Sequence, residues 1–99
     1  MTEFTENVLE IIKAIPYGKV MTYGQIAAYA DHPRGARQVS RILHSMSTKH
    51  NLPWWRVINS QGSISLTGEG GYIQGELLSQ EGINVLNKKI DLKKHLYRP

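Results

Sequence analysis

The sequence predicts a mostly α-helical domain with a small β hairpin, arranged as a winged-helix-like helix-turn-helix unit. Two observations support this prediction. Apolar residues recur at helical spacing in several segments, two of which are joined by a short turn, and a short alternating stretch follows a separate turn in the second half of the chain. The length of 99 residues suits one domain, which we expect to span residues 1–99.

The first helix is predicted over about residues 4–15. Its apolar residues repeat every three or four positions: Phe4, Val8, Ile11, Ile12 and Ile15. Glu3 and Glu6 lie near its start, where a carboxylate interacts favourably with the helix dipole. The sequence Pro16-Tyr17-Gly18 then predicts a turn that ends the helix.

The helix-turn-helix is predicted from a capping box and a second amphipathic segment. Thr22 and Gln25 have the spacing of an N-cap residue and its N3 partner, so a helix should run over about residues 23–30. After a break at residues 31–33, a third helix is expected to begin near Pro33 or Arg34. One face of that helix carries Ala36, Val39, Leu43 and Met46, and the other carries Arg34, Arg37, Gln38 and Arg41.

The second half of the chain predicts the hairpin and one further helix. Residues 54–58 are followed by a turn at 59–62 and by the alternating residues 63–66, which together indicate a hairpin or wing. The glycine-rich residues 67–71 are expected to form a mobile loop. A helix over about residues 72–80 should turn Ile73, Leu77 and Leu78 inward and end at Gly82. For residues 90–92 the sequence allows either a strand or an irregular tail.

Composition excludes several kinds of chemistry. The chain has no cysteine, which removes thiolate nucleophiles, thiolate zinc ligands and redox switching. Its four histidines lack the spacing of metal ligands, so no metal and no cofactor are expected. The net charge is +4, and residues 32–68 contain no acidic residue. This charge allows a polyanionic partner, although a solvated basic surface explains it equally well.

No feature predicts a membrane location. The N-terminus is acidic where a signal peptide would be basic, and no run approaches the roughly 20 apolar residues of a membrane span. We expect a monomer that is cytoplasmic and associated with the nucleoid if its source is prokaryotic, or nuclear if its source is eukaryotic.

Two segments resemble one family closely. Residues 18–27, followed by Ala36-Arg37-Gln38-Val39, resemble the helix-turn-helix of O6-alkylguanine-DNA alkyltransferases. Pro53-Trp54-Trp55-Arg56-Val57 resembles the active-site motif Pro-Cys-His-Arg-Val of that family, and residues 77–82 are similar to the helix end that completes its site. The resemblance covers about residues 4–82 and implies the fold of the C-terminal domain of those enzymes.

The departures from the motif imply a loss of catalysis. Trp54 stands at the position of the nucleophilic cysteine and Trp55 at that of the activating histidine. Alkyl transfer needs a thiolate and a base to form it, and an indole is neither. The pattern resembles the alkyltransferase-like proteins, which bind O6-alkylguanine in double-stranded DNA without repairing it. The resemblance implies that such a protein marks the lesion for nucleotide excision repair proteins.

The resemblance also assigns roles to individual residues. Arg37 matches an arginine that enters the duplex from the minor groove and replaces a flipped nucleotide, and Tyr23 matches a tyrosine that rotates the adjacent phosphate. Trp54 and Val57 would line the alkylguanine pocket together with Tyr23, and Val57 with the backbone after it would supply carbonyl and amide partners for the base. Further DNA contacts are expected from Arg34, Ala36, Gln38, Arg41 and Ser60.

Two other classes of function stay open at this point. The chain could be a winged-helix regulator that reads undamaged DNA, with the alkyltransferase likeness reflecting ancestry alone. It could also be an enzyme that acts through a residue other than cysteine. Fold by itself does not separate these hypotheses, because one fold hosts many functions.

Overall fold

The computed structural model describes residues 1–99 as five α-helices, one 3₁₀ turn and two short strands. In chain order these elements are α1 (Glu3–Lys13), β1 (Met21–Thr22), α2 (Tyr23–Tyr29), α3 (Ala36–Met46), the 3₁₀ turn (Trp54–Arg56), β2 (Val57–Ile58), α4 (Gly68–Gln80) and α5 (Leu92–His95). The predicted mostly helical architecture with a small sheet is therefore confirmed. None of the helices combines the length and the apolar character that crossing a lipid bilayer requires.

Helix α1 forms where the apolar spacing predicted it. Thr2 caps it, since the Thr2 hydroxyl accepts a hydrogen bond from the Thr5 amide at 3.1 Å. The helix buries Val8, Leu9 and Ile12. The chain leaves it through a turn at Gly18, whose φ of +81° lies in the left-handed region that favours glycine.

Helices α2 and α3 form the predicted helix-turn-helix. Both bonds of the capping box are present, from the Gln25 amide to the Thr22 hydroxyl at 3.0 Å and from the Thr22 amide to Gln25 Oε1 at 3.2 Å. The start predicted for the third helix is wrong, because α3 begins at Ala36. The Gly35 amide bonds to the His32 carbonyl at 2.8 Å, so residues 32–35 close a turn and Arg34 lies before the helix.

The predicted hairpin is wrong. Strands β1 and β2 pair in parallel, with Met21 opposite Val57 and Thr22 opposite Ile58. The turn at residues 59–62 exists, but the chain beyond it pairs elsewhere: Ser63 forms an antiparallel bridge with Lys89. Alternation in a sequence reports which face of a strand is buried and does not identify the strand it pairs with.

Helix α4 is longer than predicted and turned differently. It begins at Gly68, so the residues expected to form a mobile loop are its first turn. A side chain at Gly71 would collide with the carbonyl of Leu66, which explains why glycine stands at this close approach. Ile73, which was expected to face inward, is 40% exposed, and Gln74 takes the buried position.

Two apolar clusters meet at the segment formed by residues 53–58. The first cluster lies between α1, α2 and α3 and includes Val57, whereas the second includes Ile58, Leu78 and Ile90. Consecutive residues of β2 are therefore anchored in different clusters. The C-terminal residues pack back onto the sheet, because the Tyr97 amide donates to the Val20 carbonyl at 2.8 Å. The tail thus forms a short helix and a bridged end, and not a strand.

Candidate nucleic-acid interface

A cavity of about 200 Å³ opens between α3, the 3₁₀ turn and α4. This volume is smaller than the range of about 300–1,000 Å³ that is usual for drug-sized ligands, so it suits a group about the size of a single base. The residues that line it come from both halves of the chain: Tyr23, Ser40, Leu43, His44, Ser47, Trp54, Leu66 and Gln74.

Trp54 forms one wall of this cavity. Its indole is partly buried against the first apolar cluster and meets the ring of Trp55 edge-on, with 6.0 Å between the ring centroids. Trp54 stands where the resembled motif has its cysteine, and its indole leaves space for the cavity beside it. An indole wall offers an apolar face to whatever enters.

Tyr23 stands between the cavity and an open groove on the surface. Burial raises the pKa of its phenol, and the hydrogen bond to Ser65 only partly opposes that effect. The phenol is therefore neutral at physiological pH and can donate a hydrogen bond.

The open groove beside the cavity has a volume of about 370 Å³. It brings together four of the residues predicted to contact DNA, namely Tyr23, Ala36, Arg37 and Ser60. Tyr23 and Ser40 line both the groove and the cavity, so the two spaces adjoin. Arg37 is exposed at the N-terminal end of α3, at the edge of this groove.

The remaining predicted contacts are more scattered. Arg34 and Gln38 line a separate depression with Asp31 and His32, and the exposed Arg41 lines neither space. The structure contains one salt bridge, between Arg56 and Glu81. The guanidinium groups of Arg34, Arg37 and Arg41 therefore have no carboxylate partner and are available to a polyanion.

Val57 does not lie on the cavity wall. Its side chain is 1% exposed within the first apolar cluster, and its carbonyl accepts a hydrogen bond from the side-chain amide of Gln74 at 3.0 Å. The Val57 side chain therefore does not line the cavity, and the contact expected from its backbone carbonyl stays a prediction. Pairing with β1 turns the Val57 side chain into the core.

Glu81 ties the segment with the two tryptophans to α4. Its carboxylate accepts hydrogen bonds from the Gly18 amide at 2.7 Å, from Trp55 Nε1 at 2.7 Å and from Arg56 Nε and Nη2 at 3.0 and 2.8 Å. Arg56 Nη1 also donates to the Ile15 carbonyl at 2.9 Å. Burial by itself would raise the pKa of Glu81, but the bonds from Arg56, Gly18 and Trp55 outweigh it and lower the pKa.

Two features of this site were missed in the sequence. Trp55 stands where the motif has a histidine, and its indole N–H still donates a hydrogen bond to Glu81. Gln74 was not singled out, although it is a polar residue that is only 3% exposed. A glutamine on the apolar side of a helix is the signal that could have identified it, because buried polar groups need hydrogen-bond partners.

Comparison with known families places the chain in a recognised context. The family model described as "6-O-methylguanine DNA methyltransferase, DNA binding domain" matches residues 3–83. A protein of Vibrio parahaemolyticus named "DNA base-flipping protein" is 44% identical over 100 residues, covering 100% of both chains. "Alkyltransferase-like protein 1" of Schizosaccharomyces pombe is 37% identical and is matched over 100% of this chain and 98% of its own length.

Solved structures show the same relationship. The structure of S. pombe Atl1 in complex with damaged DNA containing O6-carboxymethylguanine matches with a TM-score of 0.89 at 37% identity, over 100% of this chain and 98% of that one. The O6-methylguanine methyltransferase of Mycobacterium tuberculosis matches with a TM-score of 0.61 at 34% identity, over 82% of this chain and 49% of that one.

Proposed function

This chain belongs to the family of the 6-O-methylguanine DNA methyltransferase DNA-binding domain, and from that premise we propose that it binds O6-alkylguanine in duplex DNA without removing the alkyl group. The observation that supports this proposal is the base-sized cavity, which is lined by Trp54 and adjoins the open groove that contains Arg37. A relative of similar length, S. pombe Atl1, is known in complex with DNA that contains such a lesion.

Recognition requires the damaged nucleotide to leave the base stack. Extrusion costs about a few kcal/mol, and less where pairing is already disturbed. We propose that Arg37 enters the duplex in place of the extruded base, since a planar guanidinium can stack on bases and bond to their edges. Tyr23 lies between the groove and the cavity, on the path that the nucleotide would take.

The absence of alkyl transfer follows from the chemistry of residues 54 and 55. The chain has no cysteine, and Trp54 provides no nucleophile to accept an alkyl group. The Trp55 Nε1–H donates a hydrogen bond to Glu81 at 2.7 Å, and this nitrogen is a donor only, so it cannot serve as a base. The alkylated base therefore stays intact in the cavity.

A lesion that is bound and not repaired must be removed by other proteins. We propose that the bound monomer marks the site for nucleotide excision repair, because excision removes the damaged strand without chemistry at the O6 atom. Its location would accordingly be that of the genome, in the nucleoid-containing cytoplasm or in the nucleus.

Equilibrium binding to two duplexes that differ only in one O6-methylguanine tests the proposal. We expect a preference of at least about tenfold for the methylated duplex, or about 1.4 kcal/mol, at one stated salt concentration. After incubation the methyl group should still be on the DNA, and the mass of the protein should be unchanged. A methyl adduct on the protein would refute the absence of transfer, and equal affinity would favour a reader of undamaged DNA.

A further inference from the structure

Gln74 is a buried residue whose side-chain nitrogen has hydrogen-bond partners in the protein, whereas its side-chain oxygen has none. The residue is 3% exposed on the inner side of α4. Its side-chain nitrogen Nε2 donates to the Trp55 carbonyl at 3.1 Å and to the Val57 carbonyl at 3.0 Å. Both hydrogens of the amide are thus used, and the two carbonyls determine which way the amide points.

The oxygen of the same amide accepts no hydrogen bond from the protein. Among fully buried polar side-chain atoms only His50 Nε2 lacks a partner, so Gln74 Oε1 keeps some accessible surface. Gln74 lines the cavity together with Tyr23 and Trp54, and it lines neither the open groove nor the depression beside Arg34. The Gln74 amide oxygen, whose direction is fixed by the two carbonyls, is therefore an acceptor without a partner beside this cavity.

An acceptor at this position selects for a donor on the base that enters. Alkylation at O6 removes the N1 hydrogen of guanine, so the exocyclic 2-amino group is the only N–H donor that the alkylated base retains. We propose that Gln74 Oε1 accepts a hydrogen bond from this 2-amino group and restricts the cavity to bases derived from guanine. This inference rests on the function proposed above.

The proposal separates two parts of recognition. Plain guanine also carries the 2-amino group, so Gln74 does not sense the alkyl group, which is left to the indole wall of Trp54. Gln74 instead excludes alkylated bases without a suitable donor, such as O6-methylhypoxanthine and O4-methylthymine. These bases would leave the buried acceptor without a partner, which costs more than the bond itself contributes.

Binding to two matched duplexes measures this contribution. One duplex carries O6-methylguanine and the other carries O6-methylhypoxanthine at the same position, opposite the same base. Each is titrated with the wild-type protein, with Gln74→Met and with Gln74→Lys. The lysine variant keeps N–H donors for the Trp55 and Val57 carbonyls but has no acceptor, so it serves if the methionine variant does not fold.

We expect the wild-type protein to prefer the base with the amine by roughly tenfold, the effect of one hydrogen bond. In both Gln74 variants this preference should be roughly tenfold smaller than in the wild-type protein. The matched control is Gln80→Met, an exposed glutamine on the same helix, which should keep the wild-type preference. Because every protein extrudes the same two bases, differences in the cost of extrusion cancel in this comparison.

The outcomes that overturn the inference are distinct from those that overturn the proposed function. If the wild-type protein prefers O6-methylguanine to guanine but binds both alkylated duplexes equally, the assignment of Gln74 fails alone. It also fails if folded Gln74 variants keep the tenfold preference. If the wild-type protein does not distinguish O6-methylguanine from guanine, the proposed function fails and this inference fails with it.

Discussion

Glu81→Gln is expected to destabilise the protein without changing its surface. The Glu81 side chain is 5% exposed and accepts bonds from three residues, of which Arg56, 15% exposed, is its ion-pair partner. Removing one member of a buried ion pair costs about 3–5 kcal/mol, because the remaining charge is left unpaired. Since water reaches part of the Arg56 side chain, we expect a loss near the lower limit, about 3 kcal/mol.

Urea denaturation at pH 7, followed by tryptophan fluorescence, measures this loss. A domain of this length has a free energy of unfolding of roughly 5–15 kcal/mol, so the shift of the midpoint should be large. Glu76→Gln is the matched control, because Glu76 is exposed on the same helix and should change stability by no more than about 0.5 kcal/mol. A loss of stability below about 1 kcal/mol for Glu81→Gln would refute the argument that Glu81 holds the segment of Trp55 and Arg56 against the end of α4.

The same variant should alter the response to acid. The pKa of Glu81 is lower in the folded protein than its ordinary value, so its contribution to stability is complete above the unfolded pKa. That contribution is lost as the pH falls through the folded pKa. The stability of the wild-type protein should therefore decrease on acidification more steeply than that of Glu81→Gln, and parallel curves would contradict the argument.

Three further predictions concern DNA binding. Arg37→Ala should weaken binding to an O6-methylguanine duplex by at least about tenfold, because hydrogen bonds from a charged group are lost. Arg98→Ala, which removes an exposed arginine elsewhere, should have a much smaller effect. If a fluorescence titration gives equal effects for the two variants, Arg37 has no special role in binding. A plot of the logarithm of the affinity against the logarithm of the salt concentration should have a slope of about −3 to −4 if roughly four phosphates are contacted. An affinity that does not change with salt would argue against phosphate contacts by Arg34, Arg37 and Arg41. Trp54→Ala should weaken binding to the alkylated duplex by about 1–3 kcal/mol, the range for an aromatic contact with a base, and an unchanged affinity would mean that the indole does not touch the extruded base.

Local patterns in the sequence predicted much of the helical structure. The spacing of Phe4, Val8 and Ile12 located α1, and the Thr22 and Gln25 capping box located the start of α2. These predictions succeed because helix periodicity and capping depend on residues three or four positions apart. Membership of the family, predicted from two short segments, is confirmed by the comparisons.

Contacts between distant residues were decided only in three dimensions. Residues 63–66 alternate as a hairpin strand would, but they meet Lys88 and Lys89, since Ile64 and Ile90 are both buried in the second apolar cluster. The rotation of α4 was likewise misjudged, since the close approach of Gly71 to the Leu66 carbonyl turns Gln74 inward and leaves Ile73 exposed. The first of these effects joins segments that are far apart along the chain, and the second depends on how the chain before α4 folds back onto the helix.

The sequence by itself shows that the chain has no thiolate chemistry, and it predicts the residues that are proposed to contact DNA. The absence of cysteine and the tryptophans at positions 54 and 55 are visible without any coordinates. Only the tertiary structure decided that Trp54 leaves a cavity open, that Trp55 donates to Glu81 and that Gln74 presents an acceptor beside them. The physical reason is that a cavity and a buried hydrogen bond depend on how the 3₁₀ turn packs against α4, and the residues concerned are separated by about twenty positions along the chain.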